Sequence, residues 1–315
     1  MAGLDPAIFA RTAACLPAAR SRHAAPLILA LLTACAGPAT KPHRPAVAIA
    51  PDAHVPPFAT VPYEPISRTS VVAIALREWR LFGQPVDDEP PGTRPPPLPE
   101  EMPERQPGLW QRVGEYWWLG MNAGAPESAW TGKHDASGLV FAADEDALYA
   151  WSAAFVSYVM RIAGAGRQFP YSESHSTYID IAKQMADHQT SGWIVTAERP
   201  SAYAPQPGDL ICLGRGSAAS LTYDALPAGR YPAHCDIVVA AMPGQISAIG
   251  GNVNDAVTMK HVPVTADGKL ATPEGVVLDT RYPWMVVLRV LYPPPPNPVI
   301  ASEAKQSRPI GTLVP

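Results

Sequence analysis

Three short segments carry side chains that nucleophilic chemistry can use. Ala150-Trp151-Ser152-Ala153-Ala154-Phe155 sets one hydroxyl among small and aromatic residues. His234-Cys235-Asp236-Ile237-Val238-Val239 presents an imidazole ahead of an apolar run, some way after Pro207-Gly208-Asp209-Leu210. Ile249-Gly250-Gly251-Asn252-Val253-Asn254 offers a polar residue behind two glycines. In nucleophilic catalysis an imidazole takes the proton of a hydroxyl or thiol, and a third polar residue holds the imidazole in the right tautomer. A nucleophile at a helix N-terminus also gains from the positive end of the dipole, and backbone N–H groups there can hold an oxyanion. Each segment has a plainer reading. Ser152 can be a small residue on a buried helix, His234 a core histidine at a strand end, and Gly-Gly-Asn an ordinary turn. Asn254 and Asp255 are alternatives to Asn252.

Ser172-Glu173-Ser174-His175-Ser176-Thr177-Tyr178 is unusually polar and opens a helix. His175 can face a site there, or stand in solvent on the first turn. The set His134, Asp135, His175, His234 and Asp236 contains no ligand pair at helical or Cys-x-x-Cys spacing, so neither a metal nor a cofactor is expected. Cys212 and Cys235 fall on two strands expected to pair, close enough for a disulfide. With the register unknown, the reading favours two buried thiols. Neighbours on a strand point to opposite faces, which argues against Cys235 as a displaced nucleophile beside His234.

These residues need elements to position them. Apolar spacing predicts helices over 70–82, capped by Ser70, and over 107–119, stopped by Gly120. A buried apolar helix is expected over 146–162, and a more polar one over 174–187, capped by Ser172 or Ser174. After that the pattern changes to short strands at 208–213, 235–241, 245–249, 257–264 and 284–291, with Pro-Gly, Gly-Gly and Asp-Gly turn signals between them. Helices followed by strands argue for an α+β fold with an antiparallel sheet.

Composition sets the outer limits. The chain has 315 residues, 47% of them hydrophobic, enough for a substantial core. Its net charge of −4 argues against nucleic-acid binding. Four Cys are too few for a disulfide scaffold. Of 38 Pro, eight fall within 36–65 and nine within 85–107, so both stretches read as tether or loop. Residues 24–34 are uncharged and apolar and follow Arg11, Arg20 and Arg22, as in an export signal. The run ends in Leu32-Thr33-Ala34-Cys35, which resembles a bacterial lipobox with Cys35 as the lipid attachment site. A lipid there would hold the chain to a membrane surface without spanning it. Ala36 at the next position favours, by resemblance to the known sorting rule, the periplasmic face of the outer membrane. Residues 1–9 and 297–308 read like translated repetitive intergenic sequence with no folded role. The expected organisation is a signal and lipobox over 1–35, a Pro-rich tether over 36–66, a helical extension with a Pro-rich loop over 67–129, the main domain over 130–292 and a disordered tail over 293–315.

The trio of segments resembles the NlpC-type and CHAP-type branch of the papain-like peptidases and amidases. There a Cys opens a helix in a pattern like W-C-A-A-F-V, a Pro-x-x-Gly-Asp strand follows, and then a strand carrying His-x-Gly-Ile-x-Val. The W-S-A-A-F pattern is most similar to a bacterial family, domain of unknown function 2272. By position, the resemblance implies Ser152 as nucleophile, His234 as base and Asn252 as orienter. In similar sequences a Trp and an acidic residue sit near the cleft, which puts Trp130, Asp135 and Trp151 along it; His175 and Tyr178, from the polar helix start, are expected to contact substrate there. It implies hydrolysis of amide bonds in peptidoglycan peptides, with a catalytically inactive relative that binds peptidoglycan or an envelope partner as the alternative. The departure is Ser152 where those enzymes have Cys. A thiol with a pKa near about 8.5 is easily held as thiolate beside a histidine. A serine hydroxyl must lose its proton during attack, so base and oxyanion geometry must be better.

Overall fold

The computed structural model describes residues 65–121 apart from 94, 96 and 99, residue 140, residues 149–270, and residues 274, 276 and 279–294. Cys35, Trp130 and Asp135 lie outside the described residues, as do the leader and most of the tether and tail.

Among the described residues four α-helices precede six strands, in chain order: α1 (Arg68–Leu81), α2 (Leu109–Gly120), α3 (Ser152–Ile162), α4 (His175–Ala186), β1 (Val195–Glu198), β2 (Leu210–Gly214), β3 (Ala233–Met242), β4 (Gln245–Val253), β5 (Ala256–Pro263) and β6 (Trp284–Val290). The strands form one sheet in the order β1-β6-β2-β3-β4-β5, and every neighbouring pair is antiparallel. The chain is therefore α+β with an antiparallel sheet.

Helix starts differ from the expectation in an instructive way. Helix α1 is capped by Ser67, whose hydroxyl accepts from the Ser70 N–H at 3.1 Å; Ser70 sits one turn in, and its own hydroxyl accepts from the Ser67 N–H, completing a capping box. Helix α3 starts at Ser152 rather than at 146, with Trp151 as its N-cap. Helix α4 starts at His175 behind Ser174.

Helices α1 and α2 share one core with α3 and the sheet. Val71, Ala75, Val113, Tyr116 and Trp117 pack with Phe155, Val159, Ile237 and Leu288. The other face of the sheet has its own cluster, built on Ile211, Val238, Ile246, Val262, Tyr282 and Trp284. Burial on both faces explains why β2 and β3 read as continuous apolar runs and not as alternating ones. Asn254 and Asp255 form the two-residue turn between β4 and β5, both at positive φ, the geometry tight hairpins favour. Residues 85–87, within the Pro-rich loop, lie along the free edge of β5: the Met259 N–H donates to the Pro85 carbonyl at 3.0 Å and the Asp87 N–H to the Met259 carbonyl at 2.9 Å. Covering that edge removes a template for unwanted strand pairing.

The helices are locked by one buried carboxylate. Glu78 on α1 is fully buried and accepts from Arg112 Nε (3.0 Å) and Nη2 (2.7 Å), Tyr116 OH (2.8 Å) and Tyr158 OH (3.3 Å). Burial pushes both tyrosine hydroxyls up, and the Glu78 charge adds to it. A second buried carboxylate does similar work between helix and sheet. Asp209 is fully buried and accepts from the Gln206 N–H (2.9 Å), Tyr203 OH (2.8 Å), the Val290 N–H (3.1 Å) and Arg68 Nη1 (3.2 Å). The Pro-Gly-Asp motif thus joins the start of α1 to the end of β6.

Cys212 and Cys235 face each other directly across the β2–β3 ladder and are joined by a disulfide. This corrects the expectation of buried thiols. Spacing in sequence does not set register; here the ladder does, bringing the two Cα atoms to 4.2 Å.

Candidate active site

Ser152 is the first residue of α3. No described side chain caps that helix, and its first internal bond runs from the Phe155 N–H to the Trp151 carbonyl at 2.9 Å. The N–H groups at the helix start beside the Ser152 hydroxyl are thus left out of the helix ladder.

Two histidines converge on that hydroxyl. His175, opening α4, meets Ser152 Oγ through Nε2, and its Nδ1 meets the Tyr178 hydroxyl one turn along the same helix. His234, near the start of β3, meets the same Oγ through Nδ1 at 3.3 Å. Its Nε2 lies 2.7 Å from Asp236 Oδ1, and Lys260 on β5 donates to Asp236 Oδ2 at 2.8 Å. All six residues are buried: Ser152 is 5% exposed, His175 4%, His234 5%, Lys260 2%, and Asp236 and Tyr178 0%.

Burial sets the charges. It lowers the His175 pKa well below 6.5, and His234 lowers it further; Asp236 opposes but does not prevail. Burial likewise lowers His234, with Asp236 pulling up and Lys260 pulling down. For Asp236 burial works toward a raised pKa, but Lys260 and His234 overcome it and hold the carboxyl well below its ordinary range. At neutral pH both imidazoles are neutral, and the Asp236 carboxylate stands between His234 and Lys260.

Two glycines make the approach possible. A Cβ on Gly250 would fall 1.9 Å from Asp236 Oδ1 and 2.8 Å from His234 Nε2. On Gly251 it would fall 2.6 Å from Phe155 Cβ and 2.9 Å from the Trp151 ring. Real Cβ contacts do not come under 3.0 Å. The Gly-Gly pair lets β4 lie against the His234–Asp236 pair and lets the start of α3 come down onto β4.

Of the residues singled out in sequence, Ser152, His234, His175 and Tyr178 come together. Asn252 does not reach His234: the ladder slips between Gly250 and Val253, and Asn252 turns into the left-handed region at φ 55°. The partner of His234 Nε2 is Asp236 instead. Trp151, expected along a cleft wall, is 2% exposed and packs in the core against Phe82 and Tyr116, its indole N–H donating to Glu104. In sequence Asp236 enters only the set weighed as metal ligands, and Lys260 carries no expectation. Alternation along a strand, which turns Cys235 away from His234, turns Asp236 to the same side and was the available signal. Nothing in the sequence ties Lys260 to them, because the contact crosses two strand pairings.

A cavity of about 240 Å³ opens beside the start of α4, lined among others by Glu173, Ser176, Thr177, Asp180 and Arg230. Among the described residues no group of three or more His, Cys, Asp or Glu side chains could hold a metal ion. Nor is any helix among them long and apolar enough to cross a membrane.

The molecule is thus an α+β protein with a buried serine at a helix start, bonded to two histidines, one of them backed by a carboxylate. Residues 104–290 match the family described as an uncharacterized protein conserved in bacteria, DUF2272, and the chain belongs to it. The matched span holds all six of these residues and both glycines, while α1, with Glu78, precedes it. No curated protein and no solved structure matches the chain.

Proposed function

We propose that this protein is a serine-type hydrolase of acyl compounds on a papain-like frame, acting on amide bonds of peptidoglycan peptides. The observation that carries the reading is the Ser152–His234–Asp236 constellation with Ser152 at an uncapped helix start. His234 Nδ1 stands by Ser152 Oγ at 3.3 Å, and its Nε2–H donates to the Asp236 carboxylate. The order of parts also fits a papain-like frame: nucleophile at a helix N-terminus, base on a following strand of an antiparallel sheet.

The steps follow from these groups. Ser152 Oγ attacks the carbonyl carbon while its proton passes to His234 Nδ1, and the carbonyl π pair moves onto oxygen. Backbone N–H groups at the start of α3 are placed to receive that oxyanion. The adduct collapses, the C–N bond breaks, and the leaving amine takes the proton from His234. Water then attacks the acyl-serine, giving one proton to His234; the C–Oγ bond breaks, Ser152 Oγ takes that proton back, and the acid is released. Asp236 remains a carboxylate and steadies the imidazolium that forms twice per cycle.

The choice of peptidoglycan rests on the family resemblance and on the reading of the chain as an exported lipoprotein anchored at Cys35. The Cys212–Cys235 disulfide supports an oxidising compartment. The test uses protein starting after Cys35, incubated with purified peptidoglycan, with released fragments read by mass spectrometry. Wild type should release fragments and Ser152→Ala should not. Labelling by a fluorophosphonate probe without fragments would keep a serine hydrolase and discard the substrate. Neither labelling nor fragments from folded protein would overturn the reading in favour of a binding groove.

A further inference from the structure

Ser152 carries one proton, yet two imidazole nitrogens meet its oxygen. The hydrogen-bond chain around it can be directed from its fixed end. Lys260 can only donate to Asp236, and the Asp236 carboxylate can only accept. His234 Nε2 therefore carries a hydrogen, given to Asp236 Oδ1. A neutral imidazole has one N–H, so His234 Nδ1 is bare and accepts the Ser152 O–H. The remaining nitrogen at Ser152, His175 Nε2, has only oxygen lone pairs before it and must itself be the donor. Its Nδ1 is then bare and accepts the Tyr178 O–H. The opposite direction would set the bare Nδ1 of His234 against an oxygen lone pair.

We infer that His175 is a fixed hydrogen-bond donor to the reacting oxygen of Ser152, not a second base, and that Tyr178 is the positioning residue that pins its tautomer. The catalytic part of this rests on the serine-hydrolase reading. In that setting the Nε2–H of His175 lies beside the atom that attacks, where it can also reach the oxyanion once the tetrahedral adduct forms. It adds a side-chain donor to the backbone N–H groups of α3 and never changes protonation. Its burial, which disfavours the imidazolium, suits that role. Two histidines on one serine are thus divided by their far partners. The carboxylate behind His234 makes it a base, and the phenol behind His175 makes it a donor.

The first test needs no substrate and no variant. In ¹⁵N-histidine-labelled protein at neutral pH, long-range ¹H–¹⁵N correlation should show both imidazoles neutral, protonated at Nε2 and bare at Nδ1. A proton on Nδ1 of His175 would overturn the inference. Tyr178→Phe should leave His234 unchanged and release His175 from its single tautomer; an unchanged His175 would remove Tyr178 from the proposal. The second test is fluorophosphonate labelling of Ser152. His175→Gln keeps an N–H donor but cannot act as base, so labelling should stay within about tenfold of wild type. His175→Leu should lose roughly 10²- to 10³-fold, the usual cost of one oxyanion donor. His175→Gln as inert as His234→Gln would make His175 the base and sink the inference. Absence of labelling in wild type would defeat the hydrolase reading alone, since the tautomers still decide the direction of the chain.

Discussion

His234 and Asp236 stand two residues apart on one strand, and that spacing turns both side chains to the same side, with Nε2 and Oδ1 2.7 Å apart. Base and orienter are therefore built on a single rigid element, whose register is held by pairing on both sides. Asp236→Asn removes the carboxylate that fixes the His234 tautomer while preserving shape. Labelling of Ser152 should fall by about 10³- to 10⁴-fold, the scale seen when a triad loses its acid. A loss under tenfold would assign the orienting role elsewhere.

Lys260 should tune the base from a distance. His234 is faced by Asp236, which raises its pKa, and by Lys260 and Arg215, which lower it, within a buried setting that already favours the neutral form. His175 shares Ser152 with it. A base must be neutral to act, so the acid limb of the labelling rate should lie below pH 6.5 in wild type. Lys260→Met removes one lowering charge, and the limb should move upward. Chemical shifts of His234 across the same pH range provide the check; a limb that stays in place would mean that Lys260 only fills space.

Stability should depend on the same imidazoles. Both histidines are held below their ordinary value, chiefly by burial, so the unfolded chain binds protons below about pH 6.5 that the folded chain refuses. Stability is then lost as the pH falls from 6.5 toward the folded-state values, by about 1.4 kcal/mol per pH unit for each imidazole. Asp236 acts in the same direction over a lower range: its pKa is also depressed in the folded state, so its contribution is complete above its ordinary 3.8 and is lost as the pH falls further. Urea unfolding between pH 7 and 5 should show the first effect, and His175→Gln should reduce its slope. A flat profile would contradict the buried, neutral assignment.

Gly250→Ala should be more damaging than its size suggests. The added methyl meets Asp236 Oδ1 and His234 Nε2, both on buried side chains held in bonds of their own. Overpacking of this kind costs about 1 to 3 kcal/mol. The expected outcome is a folded protein with a lowered melting temperature and little labelling. Full labelling would mean that β4 yields easily.

Glu78→Gln tests the lock between helices. It leaves Arg112, largely buried, without its main counter-charge, though Glu115 remains beside it. Breaking a buried pair on one side costs about 3 kcal/mol or more. Thermal unfolding should show the loss. An unchanged melting temperature would indicate that Arg112 swings out to solvent.

Much of this architecture is legible in the sequence, and the gaps have physical causes. Turn residues between apolar runs mark β2 to β6 within a few positions. Strand β1, four residues long at the sheet edge, carries no such signal. The apolar run over 146–162 conceals the helix start, because only tertiary packing of Trp151 decides that α3 begins at Ser152. His175 and Tyr178 are one helical turn apart and can be paired by spacing alone. That they reach Ser152 depends on how α3 and α4 meet. Asn252 misleads because a bulge breaks the alternation that would have carried it to the site.

The Cys212–Cys235 bond gives one sequence two covalent forms. With the thiols reduced, the polypeptide is two hydrogen atoms heavier and lacks the clip between β2 and the strand that carries His234 and Asp236. Both forms keep every side chain of the site, so a sample made where thiols stay reduced can look correct by sequence and still be the other compound. An intact mass belongs beside every activity measured on this protein.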